Sequence, residues 1–368
     1  MKSRIAWVIV LLGIVLSASS ATPSQIFYRL NTQTNTAITG WTTTGGHLMW
    51  SNAVPNGRFK IEATSDLGNN VTGFWAPVVD GDVTNRSMTE QVPNVEAPFP
   101  PRNSMVLIPS GWFLMGDSSD DRLNYSRPIL IRALYMDATE ITKGMWDEVA
   151  SWATTNGYVF DGPADGADTN FPVAGVSWYD CIKWCNARSE KEGYAPVYFT
   201  DEAKTIVYRD GTLDLGSAQV AWDSRGYRLP TEAEWEKAAR GGLVQNYFPW
   251  PSPAPTNNPA LVYLDPTNAN YSGTGATPVA SFPANGYGLY DISGNVSEWC
   301  WDWWGDYSTF TDPTGPTNGT ERVTRGGDYF SGSVFWDPYN LRCSARELSR
   351  SPSFTDPTLG FRCARSCP

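Results

Sequence analysis

The sequence predicts an α+β domain with a large share of irregular loop, preceded by a small all-β domain. Three observations carry this. Residues 22–91 alternate apolar and polar positions between turn clusters, the pattern of half-buried strands. The remainder holds only three segments with helix start and stop signals. Finally, 33 Gly, 27 Pro, 17 Trp and 17 Tyr make a turn-rich, aromatic-rich chain, suited to loops and aromatic-lined grooves.

In chain order, Lys2 and Arg4 precede an apolar stretch from Ile5 to Leu16, and Ser19 and Ala21 stand at the spacing signal peptidase reads. Residues 1–21 therefore read as an export signal cleaved after Ala21, and the product is expected to be periplasmic, cell-surface or secreted. The apolar run is short for a membrane span and none follows, so no transmembrane anchor is expected after cleavage. In the β-module, Phe59, Ile61 and Ala63 alternate with Lys60, Glu62 and Thr64 after a turn at Pro55, Asn56 and Gly57; His47, the single histidine, lies here. Residues 92–102, VPNVEAPFPPR, hold four prolines and no periodicity and read as a linker.

The second domain, 103–368, opens with MVLIPSGWFLMGD, read as a hairpin turning at Pro109, Ser110 and Gly111. Arg132 to Asp137 reads as a strand. Thr142 is placed as the cap of a helix to about Thr155, and Ser177 as the cap of a second, with Trp178, Cys181, Ile182 and Cys185 inward. Thr231, Glu234 and Gly241 give the third a capping box and a glycine stop. Tyr194 to Gly226 holds two β-type runs joined at Asp210 and Gly211, read as a surface hairpin.

The net charge of −11, without a Lys/Arg cluster, argues against a nucleic-acid partner. All six cysteines lie at or after Cys181, and export makes disulfides available. One histidine rules out a Ser/His triad in the second domain and leaves zinc short of ligands.

The chemistry concentrates in Gly286 to Trp299, GYGLYDISGNVSEW. Here Asp291 and Glu298 bracket a turn through Ser293, Gly294 and Asn295, and two carboxylates with loop carbonyls make a hard-oxygen site of the kind calcium takes. This stretch, with GYRLPTEAEWEKAARGG before it and RVTRGGDYF, RCSAR and GFRCAR after it, resembles the formylglycine-generating-enzyme (sulfatase-modifying-factor) family over residues 101–366. The N-terminal module is similar, weakly, to fibronectin-like sandwich modules of exported bacterial proteins.

The resemblance implies a C-type-lectin-like fold tied by calcium and disulfides. It places structural calcium on Asp291 and Glu298 with the Gly294 and Val296 carbonyls, and starts a second calcium site at Asn270 and Tyr271, where the following loop is too short for the usual aspartate. It suggests a Cys185–Cys343 disulfide and leaves Cys363 to pair with Cys300, Cys181 or Cys367. The family's enzyme oxidises a sulfatase cysteine with oxygen and copper(I) held by two thiolates, soft ligands suited to that ion. The matching positions here are Ser331 and Pro338, or Trp336 if counted forwards, so copper is not expected; Cys300 and Cys367 remain as a substitute thiol pair.

The remaining pocket is expected from Trp299, Asp328, Tyr329, Ser331, Trp336 and Arg342, with Asp328 and Arg342 as a salt bridge. Two functions follow. One is an exported module without the copper pair that holds a protein segment or glycan in an aromatic groove; the other is an oxidase or divergent enzyme acting on a cysteine-containing sulfatase peptide.

Overall fold

The computed structural model describes six strands between residues 27 and 91, then residues 105–117, 126–251 without 245, 266–331 without 308, 338–346 and 349–367. The expected leader and linker lie outside these. The chain divides into two compact units, 1–104 with 109–111, and 105–108 with 112–368. In the first, β1 (Phe27–Thr32), β4 (Arg58–Thr64) and β5 (Ala76–Asp82) form one antiparallel sheet. A second contains β2 (Ala37–Thr42), β3 (His47–Ser51) and β6 (Ser87–Gln91).

Among its described residues the second unit has three α-helices, each begun by a local device. For α1 (Lys143–Thr154), the Thr142 hydroxyl accepts from the Met145 N–H at 3.2 Å; for α2 (Trp178–Lys191), Ser177 accepts from the Asp180 N–H at 3.0 Å. In α3 (Glu232–Arg240), the Thr231 hydroxyl accepts from the Glu234 N–H while the Glu234 carboxylate accepts from the Thr231 N–H, and Gly241 ends the helix at φ 55°. All three starts agree with the sequence reading.

Strands β7 (Met105–Ile108) and β8 (Gly111–Gly116) form as expected but not as a hairpin. The edge of β7 is taken by β10 (Leu134–Asp137), in register from Leu134↔Ile108 to Asp137↔Met105, and β15 (Ala364–Ser366) covers the other side of β10. Strand β8 instead pairs with β9 (Ser126–Ile131). A third sheet has the order β13 (Ser349–Arg350), β12 (Arg322–Arg325), β11 (Ser297–Trp303), β14 (Leu359–Gly360).

The two largest apolar clusters among the described residues lie around the helices. One surrounds α1 and α2, with Trp146 stacked on Trp184 at 5.9 Å and Phe361 edge-on to both. In the other, Trp235, Ala238 and Ala239 of α3 share a buried cluster with residues from all three sheets. Every residue of β11 is buried, because it is a central strand covered on both faces. That accounts for Trp301 and Trp303, which with Trp178 enclose the guanidinium of Arg322 at 3.4–5.0 Å.

The segment 194–226 is not a surface hairpin. Val197, Tyr198, Tyr208, Leu215 and Val220 are buried, and Asn186 on α2 donates to the carbonyls of Tyr198 and Tyr208. Its reversal falls at Asp201–Lys204, with Phe199 bridging Val207, rather than at Asp210 and Gly211. The polar side of α2 thereby becomes interior, and Lys183 there is neutralised by Asp161 and Asp180.

Lys237 on α3 gives the fold a pH dependence. Burial pushes its ammonium down to about 7, against an opposing pull from Asp312. The unfolded chain releases that proton near about 10.4, so between the two values the unfolded state holds a proton the folded state has lost, and stability rises with pH. Wild type should therefore gain stability on Lys237→Met between about pH 7 and about pH 9.5 in urea unfolding. An unchanged difference across that range would refute the assignment.

Candidate functional site

Strand β11 carries Glu298 opposite Arg325 of β12 and beside Gly360 of β14, so the GYGLYDISGNVSEW stretch meets the RGGDYF and GFRCAR segments as the sequence suggested. The turn before it is built from left-handed backbone: φ is 53° at Asp291, 84° at Gly294 and 61° at Asn295. At Gly294 a Cβ would meet the Asn270 carbonyl oxygen at 2.3 Å, so both φ and space require glycine.

Three carboxylates converge here. Glu140, fully buried just before α1, accepts from the Val296 N–H at 3.0 Å and the Asn295 amide at 2.7 Å. Asp291 accepts from the Ala280 N–H at 2.6 Å. Glu298 accepts from Arg362 at 2.6–2.9 Å through both oxygens and from the Trp235 indole at 2.8 Å. Burial, followed by the charges of Asp291 and Glu298, holds Glu140 well above the usual carboxylate range. Burial likewise pushes Asp291 up to about 6. Arg362 is paired with Glu298, and among the described residues Glu140 and Asp291 have no ion-pair partner of their own.

Calcium was the expected ligand. Among the described residues, no group of three His, Cys, Asp or Glu side chains is placed to hold a metal. The fit rests instead on Asp291 and backbone oxygens. Gly294 and Val296 are buried, and outside the strand ladders their carbonyls accept no hydrogen bond among the described residues, whereas the carbonyl of Asn295 between them accepts from the Tyr329 N–H. Buried acceptors without donors, beside uncompensated carboxylate, suit a hard cation. Glu298 departs from the expected set, since its oxygens already face Arg362 and Trp235. At the second expected position, Tyr271 joins an aromatic cluster with Tyr247 and Phe248, and the Asn270 amide donates to the Gly275 carbonyl at 3.0 Å and to the Asn295 side chain at 3.4 Å.

The expected pocket is only partly assembled. Trp299 does not line it: its ring is fully buried in the α2 cluster, and its indole donates to the Val176 carbonyl at 2.9 Å. Asp328 and Arg342 do not pair. Asp328 caps its own turn, accepting from the Phe330 N–H at 2.8 Å and the Ser331 hydroxyl at 3.2 Å, while Arg342 lies over the rings of Tyr247 and Tyr339 at 4.5 and 5.0 Å. Ser331 is buried and its oxygen accepts from the Asp328 N–H, Tyr329 is nearly covered, and Phe330 projects with 44% exposure. Pro338 opens a short 3-10 turn to Leu341, and Trp336 lies outside the described residues.

The cysteines are arranged otherwise than expected. The sulfur of Cys185 lies 3.6 Å from that of Cys363, not against Cys343; both are thiols in this structure. Cys343 belongs to the other apolar cluster, with Cys300 and Ala239, so the long separation along the chain hid which cysteine α2 faces. Cys300 is buried on β11, whereas Cys367 follows β15 in a different sheet and is half-buried. Burial raises the thiol pKa at Cys181, Cys300, Cys363 and Cys367, and pushes Cys343 up to about 12.

Residues 91–367 match the sulfatase-modifying factor enzyme 1-like domain. The chain belongs to that family. It is 33% identical to the formylglycine-generating enzyme of Bos taurus over 302 residues, 73% of this chain and 75% of the relative. It is also 33% identical over 245 residues to the chaperone protein LppX of Paenibacillus barcinonensis, covering 62% and 79% of the two chains. Among solved structures, Treponema denticola variable protein 1 superposes with a TM-score of 0.55 at 31% identity, covering 72% of this chain and 95% of that one. The chain shares its fold of few helices and small sheets with that structure. Sequence reasoning located the turn and both returning segments, but missed Glu140, which lies in MDATEIT without a motif to mark it, and the Glu298–Arg362 pairing.

Proposed function

We propose that this member of the sulfatase-modifying factor family is an exported domain that binds a protein segment or glycan and does not oxidise cysteine. The observation carrying the reading is that Ser331 and Pro338 occupy the positions the resemblance gives to the two copper-binding cysteines. The chain's own cysteines offer a poor substitute: five of the six are buried, and burial holds most of the thiols protonated, whereas copper(I) takes thiolates. A relative described as a chaperone supports non-catalytic use of this domain. The binding surface is assigned around exposed Phe330, with Tyr329 and the Arg342 guanidinium stacked on Tyr247 and Tyr339 buried behind it.

Calcium, in this reading, is held by Asp291 with the Gly294 and Val296 carbonyls and supplies structural charge compensation only. Export rests on the reading of residues 1–21; none of the described helices is long and apolar enough to cross a membrane.

The test is mass spectrometry of a sulfatase-type cysteine peptide after incubation with the protein, copper(I), a reductant and oxygen. No formylglycine is expected under conditions where an active family enzyme converts the peptide. Conversion would instead reinstate the oxidase reading and require copper ligands other than Ser331 and Pro338.

A further inference from the structure

Four asparagines in the chain are followed by glycine: Asn56, which lies outside the described residues, and Asn156, Asn285 and Asn318, which lie within them. In such a pair the backbone nitrogen of the glycine can attack the side-chain amide carbon of the asparagine, because no Cβ on the following residue blocks the approach. A carbon–nitrogen bond forms, the side-chain nitrogen leaves as ammonia, and a succinimide ring results. Water then opens the ring, leaving aspartate or its β-linked isomer. The sequence consumes one water and releases one ammonia, with no change of oxidation state.

The fold withholds two of the three described sites from that chemistry. The Asn285 amide donates to the carbonyls of Ala238 and Ala239 at 2.8 and 3.1 Å, and its oxygen accepts from the N–H groups of Tyr287 and Leu289 at 3.0 and 3.1 Å. Gly286 is itself pressed on the end of α3, where an added Cβ would lie 2.3 Å from the Gly241 carbonyl oxygen. At Asn156 the amide turns back to α1, donating to the Trp152 carbonyl at 2.7 Å and to the Thr155 hydroxyl at 3.2 Å. Ring closure at either site must first break those bonds.

Asn318 carries no such restraint. It stands exposed with Gly319 in the irregular run ahead of β12, and among the described residues neither its side chain nor the Gly319 N–H makes a hydrogen bond. The place is also a structural one. A Cβ at Gly319 would lie 3.0 Å from the Cβ of Trp303, and Trp303 pairs with Arg322 where β12 begins.

The geometry points to Asn318 as a site of spontaneous self-modification in the folded protein, with water as the co-reactant. The run ahead of β12 thereby acquires a new carboxylate and, in the β-linked product, an extra backbone carbon. This assignment is independent of the binding surface and of any cation.

The test is peptide mapping by mass spectrometry after prolonged incubation of the full protein at mildly alkaline pH. The incubation is carried out in heavy-oxygen water, so that only modification during that period carries the label. In folded protein Asn318 is expected to convert at least ~10-fold faster than Asn156 or Asn285, the ratio imposed when two or more side-chain hydrogen bonds must break before the ring can close. In urea the three rates are expected to converge, since only the fold distinguishes the sites.

Conversion of Asn156 or Asn285 at the Asn318 rate in folded protein would overturn the selectivity assigned to their hydrogen bonds. Label at Asn318 in urea but none in folded protein would overturn the site itself. A rate difference that persists in urea would transfer the cause from the fold to the neighbouring sequence and refute the structural argument.

Discussion

Replacing Arg362 by alanine is expected to lower the free energy of unfolding by about 3–5 kcal/mol. Arg362 is fully buried, chelates both oxygens of Glu298 and donates to the carbonyls of Asp137, Ala138 and Tyr290. Its loss leaves Glu140, Asp291 and Glu298 without the guanidinium that partly offsets them, and takes a donor from three backbone carbonyls, of which Ala138 keeps the Tyr290 N–H. Burial opposes the Arg362 charge, yet the nearby carboxylates, Glu298 foremost, raise its pKa above the ordinary value.

Joint replacement of Glu298 and Arg362 by methionine should cost much less than Arg362→Ala. It removes both members of a desolvated pair and relieves the repulsion that Glu140 and Asp291 feel from Glu298. Urea unfolding of the two variants beside wild type, all in chelator, decides this. A single-variant loss below about 1 kcal/mol would mean the pair is not the anchor its geometry indicates.

Under oxidising conditions Cys185 and Cys363 are expected to join, making oxidised protein about 3–5 kcal/mol more stable than reduced protein. The two sulfurs already lie 3.6 Å apart between α2 and the C-terminal strands, and the residues they join are 178 positions apart, a long loop to close. Peptide mapping of the non-reduced protein should find this link, and Cys343→Ser should leave it intact. A link from Cys185 to Cys343 would overturn the structural pairing and restore the one that the family resemblance suggested.

These two expectations mark where the sequence stops being informative. The stretch from Asp291 to Glu298 was recognisable as carboxylates around a tight turn, and the order of motifs identified the family. Yet Glu298 finds its charge partner in Arg362, 64 residues on, and the sequence offers no local sign of that choice. Trp299 has the same limitation. An aromatic residue beside a polar turn can line a groove or fill a core, and the coverage of β11 on both faces put it in the core. The Asp328–Arg342 pair failed because a nearer competitor won: Asp328 satisfies itself within its own turn, and Arg342 found two tyrosine faces.

The sequence by itself determined the three helices and their limits, because a capping hydroxyl at Thr142, Ser177 or Thr231 acts on an amide three residues away. It also determined the glycine at position 294 and the lack of cysteine at positions 331 and 338, which shape the proposed function. The tertiary structure alone decided the sheet that receives β7, the burial of the 194–226 segment, the thiol facing Cys185 and the counter-charge of Glu298. The physical reason is range. Caps and turns are settled within a few residues of backbone, whereas sulfur pairing, strand partners and buried ion pairs are selected among distant segments by packing and desolvation.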